Sequence, residues 1–369
     1  MADDASRHDR DDPSERIRDG RAWRDFCRGL EAAGDVVLRE AGPDDAFDRA
    51  EGFRYLARLT RGALETFLET ADPAFPILRR PAHETLKLGA DNPDNHYQAA
   101  TLSGEHEYLV RGTRNTVHYL GLGTYYGNYA KGVARGQSGY LDRLETDADG
   151  RFEVVLSRDP RPGNWLPMEA RTDLLIVRQS FQDRRRERVA DLAIECVGGP
   201  SAPDPVTPAF VDGGLQAAAA WVVGTAQLFA DRSESFARHE MRRLDPAIAA
   251  AAHGDPNIAY FYASFELEPD EAFVVEVTPP ACEYWNVQVN NHWMESLDYR
   301  WHRIALNHHE ARLEPDGSVR IVVAHRDPGL PNGLETAGHR RGNVCLRWVG
   351  AREHPVPRAR VARLVDLRG

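Results

Sequence analysis

The feature that most limits what this chain can fold into is a repetition of its own sequence. Asp149-Gly150-Arg151-Phe152-Glu153-Val154-Val155-Leu156 returns as Asp316-Gly317-Ser318-Val319-Arg320-Ile321-Val322-Val323. The copies continue through Ser157-Arg158-Asp159-Pro160 and His325-Arg326-Asp327-Pro328. They reach Asn164-Trp165-Leu166 and Asn332-Gly333-Leu334, then close on an apolar strand carrying an arginine, Ile176-Val177-Arg178 and Cys345-Leu346-Arg347. Upstream, Tyr97 and Tyr108-Leu109-Val110 align with Tyr262 and Phe273-Val274-Val275. A repeat of this length predicts two copies of one domain. Short runs of period two lie between turn signals, the pattern of β-strands, and Asp149-Gly150 reads as a hairpin turn. The expected fold is mainly β with helical decoration (α+β), built from two related β-sandwich or jelly-roll-like domains over 90–198 and 256–369.

Helices occupy the remainder. Trp23, Phe26, Cys27 and Leu30 recur at helical spacing,. Pro43-Asp44-Asp45 opens a longer helix with Tyr55, Leu56 and Leu59 on its apolar side, and Ala71-Asp72-Pro73 ends it,. A helical segment is therefore expected over 15–75, after a disordered tail at 1–14. Gly198 to Pro205 marks a linker at 199–206. Thr207-Pro208 then starts inter-domain helices over 207–250, with a second helical piece around Glu234 to Leu244,.

The chain carries 57 acidic and 46 basic side chains in 369 residues, a net charge of −11. That balance argues against nucleic-acid binding and against docking on an anionic membrane. No run approaches the roughly 18–20 apolar residues of a membrane span. The polar N-terminus has no apolar core of a secretory signal. Cys27, Cys196, Cys282 and Cys345 form no CxxC pair. A reduced, cytoplasmic protein is the expectation.

The stretches Asn164-Trp165-Leu166-Pro167-Met168, Ile176 to Arg184, Tyr284-Trp285-Asn286-Val287-Gln288 and His325-Arg326-Asp327-Pro328 resemble a bacterial family, domain of unknown function twelve-fourteen. The resemblance covers most of the chain after residue 90. It implies β-sandwich domains with helical decoration. It brings no established activity, so no residue role is carried over.

Chemistry-bearing residues concentrate between Tyr284 and His302. In a strand, Trp285, Val287 and Val289 share one face, and Tyr284, Asn286, Gln288 and Asn290 share the other,. Carboxamides both donate and accept, which suits a ligand rich in hydroxyls or carbonyls. The strand runs into His292, Trp293, Glu295, Asp298 and His302, which offer acid–base groups and a stacking surface,. The bland alternative is a solvated strand and a polar loop. In the first copy, His118 and Tyr119 begin the matching strand, where Gly121 and Gly123 leave room for a ligand or a backbone,. No HExxH, cupin-type HxH or EF-hand spacing is present, so no metal or other cofactor is assigned, although a metal on the His and carboxylate supply is conceivable. Gly121-Leu122-Gly123 lacks a dinucleotide-binding context, and no GxSxG occurs.

These residues suggest a protein that acts on, or binds, a small hydroxylated or aromatic molecule. His292 or His302 would move a proton, tuned by Glu295 or Asp298. Tyr284, Asn286, Gln288, Asn290, Trp293, His118 and Tyr119 would hold the ligand. Lyase, isomerase or hydrolase chemistry would need no redox cofactor. The alternatives are a non-catalytic binder of carbohydrate-like ligands, or an oligomeric scaffold subunit whose aromatic faces meet a second copy.

Overall fold

The computed structural model describes residues 12–367. The chain opens with helices α1 (Pro13–Arg18), α2 (Arg21–Leu38) and α3 (Ala46–Leu64), the last continuing through a π-helical turn at Glu65–Glu69. Asp12 and Asp45 cap α1 and α3, each side chain accepting a backbone N–H of the first turn,. The tail expected over 1–14 falls outside the described residues as far as residue 11. Its last two residues belong to α1, because a capping Asp followed by Pro starts a helix there,.

The first β module contains β1 (Asn95–Thr101), β2 (Tyr108–Thr113), β3 (Tyr119–Tyr126), β4 (Gly136–Leu141), β5 (Arg151–Ser157), β6 (Trp165–Pro167), β7 (Leu174–Ser180) and β8 (Asp191–Cys196). A long helix, α4 (Pro208–Ser235), leads through β9 (Arg242–Arg243) and α5 (Pro246–Ala251) to the second module. That module contains β10 (Ile258–Glu266), β11 (Glu271–Val277), β12 (Tyr284–Asn290), β13 (Ala305–Asn307), β14 (Val319–Ala324), β15 (Gly333–Glu335), β16 (Arg341–Val349) and β17 (Arg358–Arg363), followed by α6 (Leu364–Leu367).

Strand for strand, the modules share one topology. Sheets β1-β7-β3-β4 and β6-β5-β2-β8 correspond to β10-β16-β12-β13, which β9 extends, and β15-β14-β11-β17. Among the described strands, β5–β6 and its counterpart β14–β15 pair in parallel and the other strand pairs are antiparallel. Each pair of sheets closes on an apolar core. Leu120, Leu122, Val154, Leu156 and Val177 fill the first, and Phe261, Phe273, Trp285, Val287 and Trp348 the second. Full burial of side chains of this size contributes roughly 1.5–3 kcal/mol each.

Register fixes the residue equivalences. Tyr97 and Gly121 lie opposite Arg178, and Tyr260 and Asn286 lie opposite Arg347. Arg178 and Arg347 therefore correspond, as the sequence match has them. The counterpart of Tyr97 is Tyr260 rather than Tyr262, since a slip of two residues keeps the same face and leaves no trace in an apolar–polar pattern.

Helices α2, α3 and α4 form a separate apolar layer. On α2 the buried face is Ala22, Phe26, Ala33, Val36 and Val37, while Trp23 is 58% exposed. Small residues set this face. A Cβ on Gly29 would stand 2.7 Å from the Cβ of Ala219, so α2 and α4 lie close. Among the described residues, no helix is long and apolar enough to cross a membrane. Two local expectations fail. The segment after Ser235 is not a second helix: Phe236 stacks on Tyr262 at 4.4 Å, and the backbone of Ala237 and His239 bonds Ser264 on β10. Gly150 has the positive φ of a turn residue, 77°, but β5 pairs with β2 and β6, so the turn does not join a hairpin.

Candidate binding cavity between the modules

Strand β12 sends Trp285, Val287 and Val289 into its own core. The opposite face, Tyr284, Asn286, Gln288 and Asn290, is completely buried rather than solvated. Its cover is the segment Ala90–Asn95 that leads into β1 of the other module. Asn286 Nδ2 donates to Asn92 Oδ1 (2.9 Å), Gln288 Nε2 to the Asp91 carbonyl (2.9 Å) and the Tyr284 hydroxyl to Asp94 Oδ2 (2.6 Å). Asn290 Nδ2 turns to Asn343 Oδ1 within its own sheet (2.8 Å).

The first module returns the contact. The hydroxyls of Tyr119 (3.0 Å) and Tyr140 donate to Asp255 Oδ2, in the segment that leads into β10. Asn92-Pro93-Asp94 and Asp255-Pro256-Asn257 occupy corresponding places, with acid and amide exchanged. Two residues before each, Ala90 and His253 take positive φ of 58° and 55°. Their carbonyls accept from the arginine of the opposite module, Ala90 from Arg347 Nη2 and His253 from Arg178 Nη2. The modules thus clasp each other through reciprocal contacts.

A cavity of about 350 Å³ lies between them, within the lower range of small-molecule sites. The two sheets contribute Arg178, Arg347, Tyr97 and Tyr260, and α4 contributes Trp221, Phe229 and Arg232. Arg79 lies on the N-terminal side. Arg178 also donates to the Tyr125 hydroxyl (2.9 Å), and Arg347 to Gln288 Oε1 (2.6 Å). Arg79 donates to Thr66 Oγ1 and the Ala99 carbonyl. Among the described residues, no carboxylate oxygen lies within 4.0 Å of any of these four guanidinium groups. Buried charge without a counter-ion is costly, and burial pulls Arg79 down to about 10 and lowers Arg232. Against the same burial, Arg178 is raised by Tyr125 and Asp255 and Arg347 by Cys345 and Tyr262. Burial holds His253, also in the wall, at about 4, so its ring is neutral at pH 7. It pushes the Asp91 and Asp94 carboxyls upward.

The sequence-expected site residues stand elsewhere. None of them lines this cavity. His292 Nε2 is 3.4 Å from Glu234 Oε1, and burial lowers the ring to about 4. Glu295 is fully buried against Arg58 (2.6 Å) and Asn291 (2.9 Å), and burial raises its carboxyl. Asp298 is held to about 2 by its hydrogen bond from Arg300. His302 sits near the surface, 3.2 Å from Glu335. The four groups are not assembled into an acid–base pair: Glu295, Asp298 and His302 each have a different neighbour, and His292 Nε2 is buried without a hydrogen bond. Trp293 is buried in the helical layer and donates to the Asp48 carbonyl (3.1 Å). His118 bonds the Glu283 carbonyl (2.8 Å) and Tyr119 the Asp255 carboxylate, both across the module interface. Among the described residues, no three His, Cys, Asp or Glu side chains converge as metal ligands.

Sequence reasoning matched Arg178 with Arg347 in the repeat but gave the cavity arginines and the two loops no place in a site, although both left signals. A charged residue recurs at one position of two apolar strands, and an Asx-Pro-Asx triplet twice precedes the first strand of a module.

Comparison with known proteins agrees with this architecture. The model of the family "Protein of unknown function (DUF1214)" matches residues 97–180 and 264–353, one stretch in each module. A crystal structure of an uncharacterised protein from Burkholderia cenocepacia is 47% identical, with a TM-score of 0.94 over 95% of this chain and 99% of that one. The VPA0106 protein from Vibrio parahaemolyticus is 12% identical, with a TM-score of 0.50 over 91% of this chain and 100% of that one, a likeness of fold alone. No curated protein matches. The chain belongs to the DUF1214 family, and its two family regions are the two clasped β modules.

Proposed function

We propose that this protein binds a small organic anion in the cavity between its modules. The observation that carries the reading is the set of four arginines in the cavity wall: Arg79, Arg178 and Arg347 hydrogen-bond to neutral groups, and among the described residues no carboxylate oxygen lies within 4.0 Å of these three or of Arg232. A carboxylate or phosphate entering the cavity would supply a counter-charge, and such a charge-assisted bond is strong. Tyr97, Tyr260, Trp221 and Phe229 suit a ligand with an apolar or aromatic body,. The acid–base role considered for His292, Glu295, Asp298 and His302 is not part of this proposal, because those groups do not meet at the cavity.

Thermal-shift measurement with organic acids, their neutral amides and neutral sugars tests the reading. Acids are expected to raise Tm while amides and sugars do not. A ligand at about 100 times its Kd adds roughly 2.7 kcal/mol of stability. Stabilisation by sugars and not by acids would contradict the proposal and favour a carbohydrate binder.

A further inference from the structure

We infer that the ligand carries two anionic groups, one for each of Arg178 and Arg347; the inference rests on the anion-binding reading above. The fold places both guanidinium groups at one position of two equivalent strands and turns both toward one cavity. Each is anchored in the same manner, by a group of its own sheet and by a carbonyl of the opposite module's loop. Tyr125 and His253 serve Arg178, and Gln288 and Ala90 serve Arg347. A guanidinium has five N–H donors, so these bonds leave donors on both.

Like charges sharing one cavity repel, and a single anion relieves one of them more than the other. Two anionic groups match the two arginines one to one. The body of the ligand need not be symmetrical, because the segment after β3 offers Tyr129 to the wall where the segment after β12 offers Met294. The wall also holds Glu65, Asp91 and Asp173, and among the described residues none of them lies within 4.0 Å of Arg178 or Arg347; Asp91 accepts from Ser296, through N–H and hydroxyl, and Asp173 from the N–H of Gly127.

The test is calorimetric titration of the full chain with malonate through pimelate and with the three benzenedicarboxylates, each against its own monoamide. The best-binding diacid is expected to exceed its monoamide at least tenfold. Arg178→Gln and Arg347→Gln should each reduce the diacid to about the monoamide's affinity, while Arg178→Lys and Arg347→Lys retain a preference for the diacid. Equal affinity of diacid and monoamide overturns this inference and leaves anion binding standing. No binding by any acid overturns both. If a Gln variant does not fold, the wild-type ratio and the Lys variants decide.

Discussion

Strands β3 and β12 occupy the same place in their modules and grip the opposite module with different materials. On β12, Asn286 and Gln288 reach across to the Asn92 loop. The corresponding residues of β3 are Gly121 and Gly123, and the space they leave is taken by phenols. A Cβ on Gly121 would stand 2.0 Å from the Tyr140 hydroxyl, and one on Gly123 2.5 Å from that of Tyr125. Tyr140 then reaches Asp255, and Tyr125 accepts from Arg178 as Gln288 does from Arg347. A shared topology has fixed where the arginine and the loop meet, and left open which side chain joins them.

The comparison can be broken most forcefully at Gln288. Its amide joins Arg347, the Asp91 carbonyl and Asn290. Gln288→Ala takes one acceptor from the buried Arg347, which keeps the Ala90 carbonyl, and leaves the Asp91 carbonyl without the amide donor, so a loss of about 3–5 kcal/mol is expected in urea denaturation. A loss below about 1 kcal/mol would mean that the amide face is not what holds the loop.

His253 and Ala90 differ in a way that pH exposes. With the folded ring at about 4 and the unfolded ring near 6.5, the unfolded chain binds the additional proton between those values. Stability therefore falls as pH drops through that window, by up to roughly 3 kcal/mol from this residue. His253→Gln should remove up to one proton from the pH slope. Asp91, Asp94 and Glu295, raised by burial, contribute the opposite slope in both proteins and cancel in the difference. An unchanged slope would place the ring in solvent.

Gly121→Ala should cost about 1–3 kcal/mol by crowding Tyr140. Adding Tyr140→Phe should recover part of that, because the atom that clashes is the hydroxyl. The smallest effect is expected at Asp298, paired with Arg300 near the surface. Asp298→Asn should cost no more than about 1 kcal/mol and leave ligand binding unchanged.

Much of this fold is legible in the sequence for identifiable reasons. The repeat and its period of two gave the two modules, Asp45 and Thr207-Pro208 marked helix starts, and the division of β12 into an apolar and a polar face is correct. What covers the polar face is not legible. Asn286 finds its partner 194 residues earlier in the chain, and an amide that meets a distant loop has the same local pattern as one that meets a ligand. The cluster from His292 to His302 is dense in sequence but not in space. The chain turns at Met294, with φ of 56°, and sends His292, Glu295 and Asp298 to separate surroundings. Trp293, expected to stack on a ligand, fills a gap in the helical layer against Gly52, where a Cβ would stand 2.8 Å from its ring.

The most direct measurement is the affinity of the best-binding organic acid for the wild-type chain, Arg178→Gln, Arg347→Gln and His292→Asn, with each variant's fold checked by its unliganded Tm. Binding is expected to weaken at least tenfold in both arginine variants and to stay at the wild-type value in His292→Asn. Undiminished binding in both arginine variants, with loss in His292→Asn, would move the site out of the cavity and contradict the account.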